Sequence, residues 1–262
     1  MSVVLIDQQV VHYEALGRGR PLVFLHGWVG SWRYWIPAMQ AASMAYRTYA
    51  LDLWGYGDTA KYQPNYTLNG QIDLLDRFLY EMGIGRVALA GHGLGAIVAI
   101  LFALRHPSLV DRVMAVGYPI SEDCVNPRLR VETPLELAEW LSGRAPLTEP
   151  VLADAPKTDL RAVSASLAGL NAAEVKDALQ HLSTACLLVN GIYDQAVAPP
   201  DLNQVVTMPA LTHAILFDQS GHFPMLDESS KFNRLLIDFL SLPSGDSPRE
   251  LQLKDEWKRR VR

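Results

Sequence analysis

Short apolar runs, separated by stretches with a helical period, recur along most of the chain. Pro21–Leu25, Tyr46–Leu53, Val87–Ala90, Val110–Tyr118, Ala185–Val189 and Leu211–Phe217 are rich in Val, Leu, Ala, Phe and Tyr. Each gives way within two residues to Gly, Pro, Asn or Asp, which is how buried strands end. Val3–Leu16 alternates weakly around Asp7-Gln8-Gln9 and predicts a hairpin of two edge strands. Helices are expected over Ser31–Met39, opened by Ser31 and carrying Trp32, Tyr34 and Trp35, and over Asn69–Met82. In the latter, Ile72, Leu75, Phe78, Leu79 and Met82 share one face, with Gly83 and Gly85 closing it. Ala96–Leu104 is a dense apolar helix stopping before Pro107, and Ser230–Leu240 supplies a last one.

The pattern changes from Pro119. Residues 120–183 hold several prolines and short helical pieces and no strand pattern. Thr133-Pro134 reads as an N-cap with a first-turn proline for Leu135–Leu141, and Asp159 and Asn171 read as caps of two further helices. Beyond Leu242, Pro243-Ser244-Gly245-Asp246-Ser247-Pro248 has the composition of a flexible linker. Leu253, Trp257 and Val261 then recur every four residues among charges, the pattern of a short amphipathic helix. The basic end, Lys258 to Arg262, is offset by Glu250, Asp255 and Glu256.

Composition narrows the partners. With 262 residues, 49% of them apolar, the chain can bury one large core, and a net charge of −5 argues against nucleic acid. Cys124 and Cys186 lie far apart and in no metal-like spacing, so two reduced, packed thiols and no metal are expected. No basic leader precedes the apolar start, and no apolar stretch is long enough to span a bilayer. A soluble cytoplasmic protein without a membrane partner is the expectation, as monomer or homodimer.

The chemistry centres on Gly91-His92-Gly93-Leu94-Gly95, between the strand at Val87–Ala90 and the helix at Ala96–Leu104. Three glycines in five residues at such a junction make a turn too tight for side chains. Here the chain resembles the α/β-hydrolase family, whose nucleophile elbow reads Gly-x-Ser-x-Gly in this context. Gly93 stands where that serine would be. The elbow's apex has a positive φ, which strains a residue with a Cβ by about 1–3 kcal/mol and suits glycine.

The resemblance covers roughly residues 3–240. It implies an α/β-hydrolase fold: a mostly parallel eight-stranded sheet flanked by helices, with residues 1–119 and 184–241 as core, 120–183 as a helical cap, and 242–262 as linker and tail. His26-Gly27-Trp28 after its strand matches the family's oxyanion loop, so the resemblance assigns the two oxyanion N–H groups to Trp28 and Leu94. Gly191-Ile192-Tyr193-Asp194 matches the position of the acidic residue, and Gly221-His222-Phe223-Pro224 that of the catalytic histidine. Asp52 to Asp58 resembles the family's Asp-x-x-Gly-x-Gly turn, for which a structural role is expected.

Three functions are compatible with these residues. The first is a hydrolase of a small ester, thioester or related acyl compound, either a serine-to-glycine variant of a Ser-His-Asp enzyme or a natural serine-less enzyme in which Asp194 and His222 act as a general base. The second is a silent protein holding a small apolar ligand, with Trp28, Trp32, Trp35 and Trp54 as candidate lining. The third rests on Gly91-x-Gly93-x-x-Ala96, which also fits a dinucleotide-binding pattern. That unit follows four expected strands instead of opening the domain, and Asp111 stands at a strand start. No cofactor is therefore expected.

Overall fold

The structure, a computed structural model, describes residues 2–120, 122–142, 148–170 and 172–251. Its strands are β1 (Ser2–Ile6), β2 (Gln9–Gly17), β3 (Arg20–Leu25), β4 (Tyr46–Leu51), β5 (Val87–His92), β6 (Val110–Val116), β7 (Ala185–Gly191) and β8 (Thr212–Phe217). They form one eight-stranded sheet in the order β1-β2-β4-β3-β5-β6-β7-β8. Pairing is antiparallel from β1 through β2 to β4 and parallel across the rest. The helices are α1 (Ile36–Ala42), α2 (Leu68–Glu81), α3 (Leu94–Arg105), α4 (Pro134–Ser142), α5 (Glu149–Asp154), α6 (Leu160–Ala168), α7 (Ala172–His181), α8 (Leu202–Val206), α9 (Pro224–Asp227) and α10 (Ser229–Ser241). This is the α/β-hydrolase fold.

Parallel strands covered on both faces need continuous apolar runs, and β5 and β7 are buried at every residue. α3 is buried over nearly its whole circumference, whereas α2 and α10 bury one stripe, as their mixed sequences demand. On one face of the sheet the Phe24 and Trp35 rings lie 5.0 Å apart, and Phe232 of α10 closes on Trp35 at 6.2 Å. Each such aromatic contributes about 1.5–3 kcal/mol by burial.

Several sequence expectations shift. β2 is an interior strand between β1 and β4, so the hairpin has one edge strand and not two. Its turn places Asp7 and Gln8 at positive φ. The strand at Tyr46 ends at Leu51, because Asp52 turns its carboxylate to loop amides. Ser31 does cap its helix, accepting from the Arg33 N–H at 3.2 Å, but the first turn, Trp32–Trp35, is 3-10 and the α-helix runs on to Ala42.

Between β6 and β7 the described residues form helices and loops, and Val125 there makes one isolated antiparallel bridge to Val197, beyond β7. Asp159 caps α6 as expected, whereas Asn171 lies outside the described residues. The segment expected as a flexible linker is pinned. Ser244 Oγ donates to Asp111, Ser247 Oγ to the Ala210 carbonyl and Arg249 to the Met208 carbonyl. The amphipathic pattern at Leu253, Trp257 and Val261 falls outside the described residues.

Candidate active site

The elbow is built by backbone in contact with backbone. A Cβ on Gly91 would lie 2.2 Å from the Gly95 carbonyl oxygen, and one on Gly95 would lie 2.3 Å from that of Leu25. The ends of β5 and β3 and the first turn of α3 therefore meet with no room for a side chain. Gly93, at the apex, has φ +49° and ψ −111°. The amides of Gly95, Ala96 and Ile97 donate to the carbonyls of His26, Gly93 and Gly93. The N–H of Leu94 has no protein acceptor among the described residues, nor has that of Trp28. Leu94 opens α3, at the helix's positive end, and Trp28 follows Gly27, whose Cα would lie 3.5 Å from a Cβ on Gly93.

The loops after β7 and β8 bring Asp194 and His222 together. His222 Nδ1 lies 3.0 Å from each carboxylate oxygen of Asp194. Asp194 Oδ1 also accepts the N–H groups of Ala196 at 2.8 Å and Val197 at 3.0 Å, which hold the carboxylate still. With Nδ1 donating to Asp194, Nε2 is left as the acceptor, and it has no protein partner among the described residues. The His222 loop is held from behind by Asp227, which accepts the Gly221 N–H at 2.9 Å. The His222 ring lies 4.4 Å, centroid to centroid, from that of His92, the residue before the apex.

The Trp28 indole packs against the Gly93 apex. A Cβ at position 93 would sit 3.1 Å from Trp28 Cε3 and 3.2 Å from Cζ3. Trp28 is 1% exposed, and its Nε1 is buried with no acceptor. Trp35 and Trp54 are likewise core side chains and Trp32 is half-buried, so these indoles pack the fold.

The helices after β6 are tied to the loops after β3 and β4 by polar contacts. Ser31 Oγ donates to Asp154, and Arg33 pairs with the same carboxylate at 3.0 Å. Lys157 meets Asp58 at 3.1 Å, the Asp159 N–H donates to the Gly55 carbonyl, and Tyr66 donates to Asp159. Burial works against the Asp154 charge, but the Ser31 and Arg33 bonds hold its carboxyl below the usual range.

Among the described residues, His12, Asp52 and Asp58 offer ligand atoms within 4.8 Å of one another. Their donors and acceptors are already used. Asp52 accepts from His12 Nδ1 at 2.8 Å and from the amides of Trp32 and Asp58, while Asp58 is paired with Lys157. Burial opposes the Asp52 charge, yet the His12 bond, His26 and the two amides together hold its carboxyl below its ordinary value. Burial also works against a charged His12, but the bond and charge of Asp52, with Asp58 and Glu14 behind it, raise its pKa.

Replacing His12 by Gln is therefore expected to cost more stability at about pH 5.5 than at about pH 9. A raised His12 contributes fully below its ordinary 6.5 and loses that contribution as pH climbs through the higher folded value. Asp52 behaves oppositely, losing its contribution only as pH falls below 3.8. Urea midpoints at the two pH values check this, and equal losses at both would refute it.

Two buried residues at the site escape a reading of motifs, His92 and Tyr34. His92 Nδ1 meets Tyr34 Oη at 3.0 Å, and His92 Nε2 meets the His222 carbonyl oxygen at 2.9 Å. His92 occupies the variable position of the elbow motif, and Tyr34 lies 58 residues before it, so no local signal joins them. His26 is structural: Nδ1 donates to the Gly27 carbonyl at 2.8 Å and Nε2 accepts the Leu53 amide at 3.0 Å.

A tight strand-to-helix bend, with an Asp-oriented histidine from the loops after β7 and β8, places this chain among the α/β hydrolases. The chain matches the alpha/beta hydrolase family over residues 22–235 and belongs to it. Over 87% of its length it is 26% identical to a pimeloyl-[acyl-carrier protein] methyl ester esterase of Vibrio cholerae, covering 97% of that protein. It is also 26% identical to a putative carbamate hydrolase, RutD, of Yersinia enterocolitica, over 93% of this chain and 96% of the relative. Among solved structures, the enol-lactonase of Burkholderia xenovorans superposes with a TM-score of 0.80 at 17% identity, covering 92% of this chain and all of that one. At that identity the match speaks for the fold. No helix among the described residues is long and apolar enough to cross a membrane.

Proposed function

We propose that this chain hydrolyses a small ester, carbamate or related acyl compound without a covalent intermediate. In this reading His222 is the general base, Asp194 orients it, and the Trp28 and Leu94 amides receive the oxyanion. A water, in place of a side-chain nucleophile, is deprotonated by His222 Nε2 and attacks the acyl carbon. The same proton then goes to the leaving group as the tetrahedral adduct collapses. The observation that carries the reading is the His222–Asp194 pair, which leaves an unpartnered acceptor nitrogen on a ring 4.4 Å from that of His92, the residue before an apex that bears no nucleophile. Relatives named as an ester and a carbamate hydrolase, matched over nearly their full lengths, support the substrate class.

Residues 120–183 act as the cap over this site in the same reading. Trp28 and His222 are 1% and 2% exposed, so a substrate reaches them only when the indole or the helices above move.

Turnover of a panel of 4-nitrophenyl esters and carbamates, followed by stopped flow and by intact mass, tests the proposal. The expected result is slow turnover with no burst and no acyl-enzyme, about 10³–10⁴ over water at best, the residual range left when a triad nucleophile is missing. A burst or a covalent adduct would overturn the direct mechanism. No turnover across the panel, with ligand binding retained, would favour a silent binding protein.

A further inference from the structure

We propose that His92 and Tyr34 form a positioning relay that locks the oxyanion loop and the base loop to the elbow. The inference deepens the hydrolytic reading above and rests on it for its activity arm only.

Hydrogen accounting fixes every proton in the relay. The Gly27 N–H lies 2.6 Å from Tyr34 Oη and has only a hydrogen to give, so the phenol oxygen accepts it. The single phenol proton is then directed to His92 Nδ1, 3.0 Å away, which makes that nitrogen the acceptor. His92 therefore carries its proton on Nε2 and donates it to the His222 carbonyl at 2.9 Å. No other arrangement of a neutral imidazole satisfies all three contacts.

The relay runs from the residue before the Trp28 amide to the main chain of the base, through a side chain rooted beside the apex. Packing points the same way. The Tyr34 and His92 rings meet edge to face at 5.6 Å, and Phe223 seals the other side of His92 at 5.1 Å. A Cβ on Gly27 would fall 2.8 Å from His92 Nδ1, so the oxyanion loop lies directly against the imidazole. Burial first, and then the neighbouring charge of His222, keep the His92 pKa well below the ordinary imidazole value. His92 thus stays neutral and holds its tautomer. Neither His92 nor Tyr34 touches the substrate in this arrangement; they act through Trp28 and His222.

The test compares the parent chain with Tyr34→Phe, His92→Leu and His92→Gln, by long-range proton–nitrogen NMR of the imidazoles and by turnover of the best panel substrate. In the parent, His92 is expected to show the neutral Nε2–H tautomer from about pH 5 to about pH 9. A downfield signal from the His222 Nδ1–H bonded to Asp194 should accompany it.

Tyr34→Phe should leave His92 as the Nε2–H tautomer, which the His222 carbonyl still requires, and exchange that His222 proton with water roughly tenfold faster. The same change should lower kcat by about 10- to 100-fold with KM within about twofold. His92→Leu should act likewise. His92→Gln keeps a donor toward the His222 carbonyl and should recover most of the loss.

A parent His92 protonated on Nδ1, or a His222 signal identical in all four proteins, would overturn the relay. Should the parent turn nothing over while showing the relay's NMR signature, the hydrolytic reading falls and the positioning assignment stands.

Discussion

Replacing His222 with Gln is expected to lower kcat by about 10²- to 10⁴-fold, the usual contribution of a positioned general base. The imidazole does two things that a glutamine amide cannot. It donates from Nδ1 to Asp194 and presents a basic Nε2 at the same time. An amide reaching into the same space has donors on one atom and a weakly basic oxygen on the other, so the carboxylate no longer sets up a base. The loop itself should survive, because its ties are main-chain ones: the His222 carbonyl accepts from His92, and the Gly221 N–H donates to Asp227. Circular dichroism and a thermal melt near that of the parent would show an intact fold. Activity within about threefold of the parent would remove His222 from the chemistry altogether.

Gly95→Ala should give no soluble folded protein, whereas Gly93→Ala, two residues away, should fold. At position 95 the added carbon would lie 2.3 Å from the Leu25 carbonyl oxygen and 2.7 Å from that of His26. Those atoms belong to β3 and the start of its loop, inside the sheet, and cannot retreat without breaking strand pairing. A loss beyond about 4–5 kcal/mol, the exceptional end of single substitutions, follows. At position 93 the nearest atoms belong to the Trp28 ring, at 3.1 and 3.2 Å. The cost is then a small shift of the indole plus about 1–3 kcal/mol of backbone strain at positive φ. Expression, solubility and a cooperative thermal transition separate the two outcomes. A Gly95→Ala protein melting within a few degrees of the parent would refute the close-packed elbow.

The same contrast bears on a serine at position 93. Its Cβ would sit 3.1 Å from Trp28 Cε3, so Gly93→Ser asks for the same small shift of the indole as Gly93→Ala.

How much of this was legible beforehand differs from residue to residue. The glycines at 91, 93 and 95 announced a bend, since a backbone crossing so close excludes side chains wherever it occurs. The runs at Val87–Ala90 and Ala185–Val189 announced buried strands by their unbroken apolar character. Family resemblance points to the pairing of Asp194 with His222 from two short motifs in a known order, and the fold brings the two side chains to 3.0 Å. The sequence offers Trp28 both for its amide and as candidate pocket lining, while in the fold its ring packs against the apex. The linker composition at Pro243–Pro248 misled, because Ser244 and Ser247 find partners on distant loops that composition does not reveal.

What the sequence determined by itself is local: strand and helix periods, the caps at Ser31 and Asp159, the turn chemistry of the hairpin and elbow, and the chain order of the site's motifs. These depend on neighbours within a few residues, where backbone sterics and alternation of polarity act directly. Tertiary structure alone decided that β2 would lie inside the sheet and that Asp52 would gather His12 and two loop amides. It alone joined Tyr34, His92 and His222, across 58 and 130 residues, in one chain of hydrogen bonds. The physical reason is that such bonds are only a few ångströms long. Their partners are therefore chosen by which loops emerge side by side at the carboxyl ends of the parallel strands, and that depends on the order of the whole sheet.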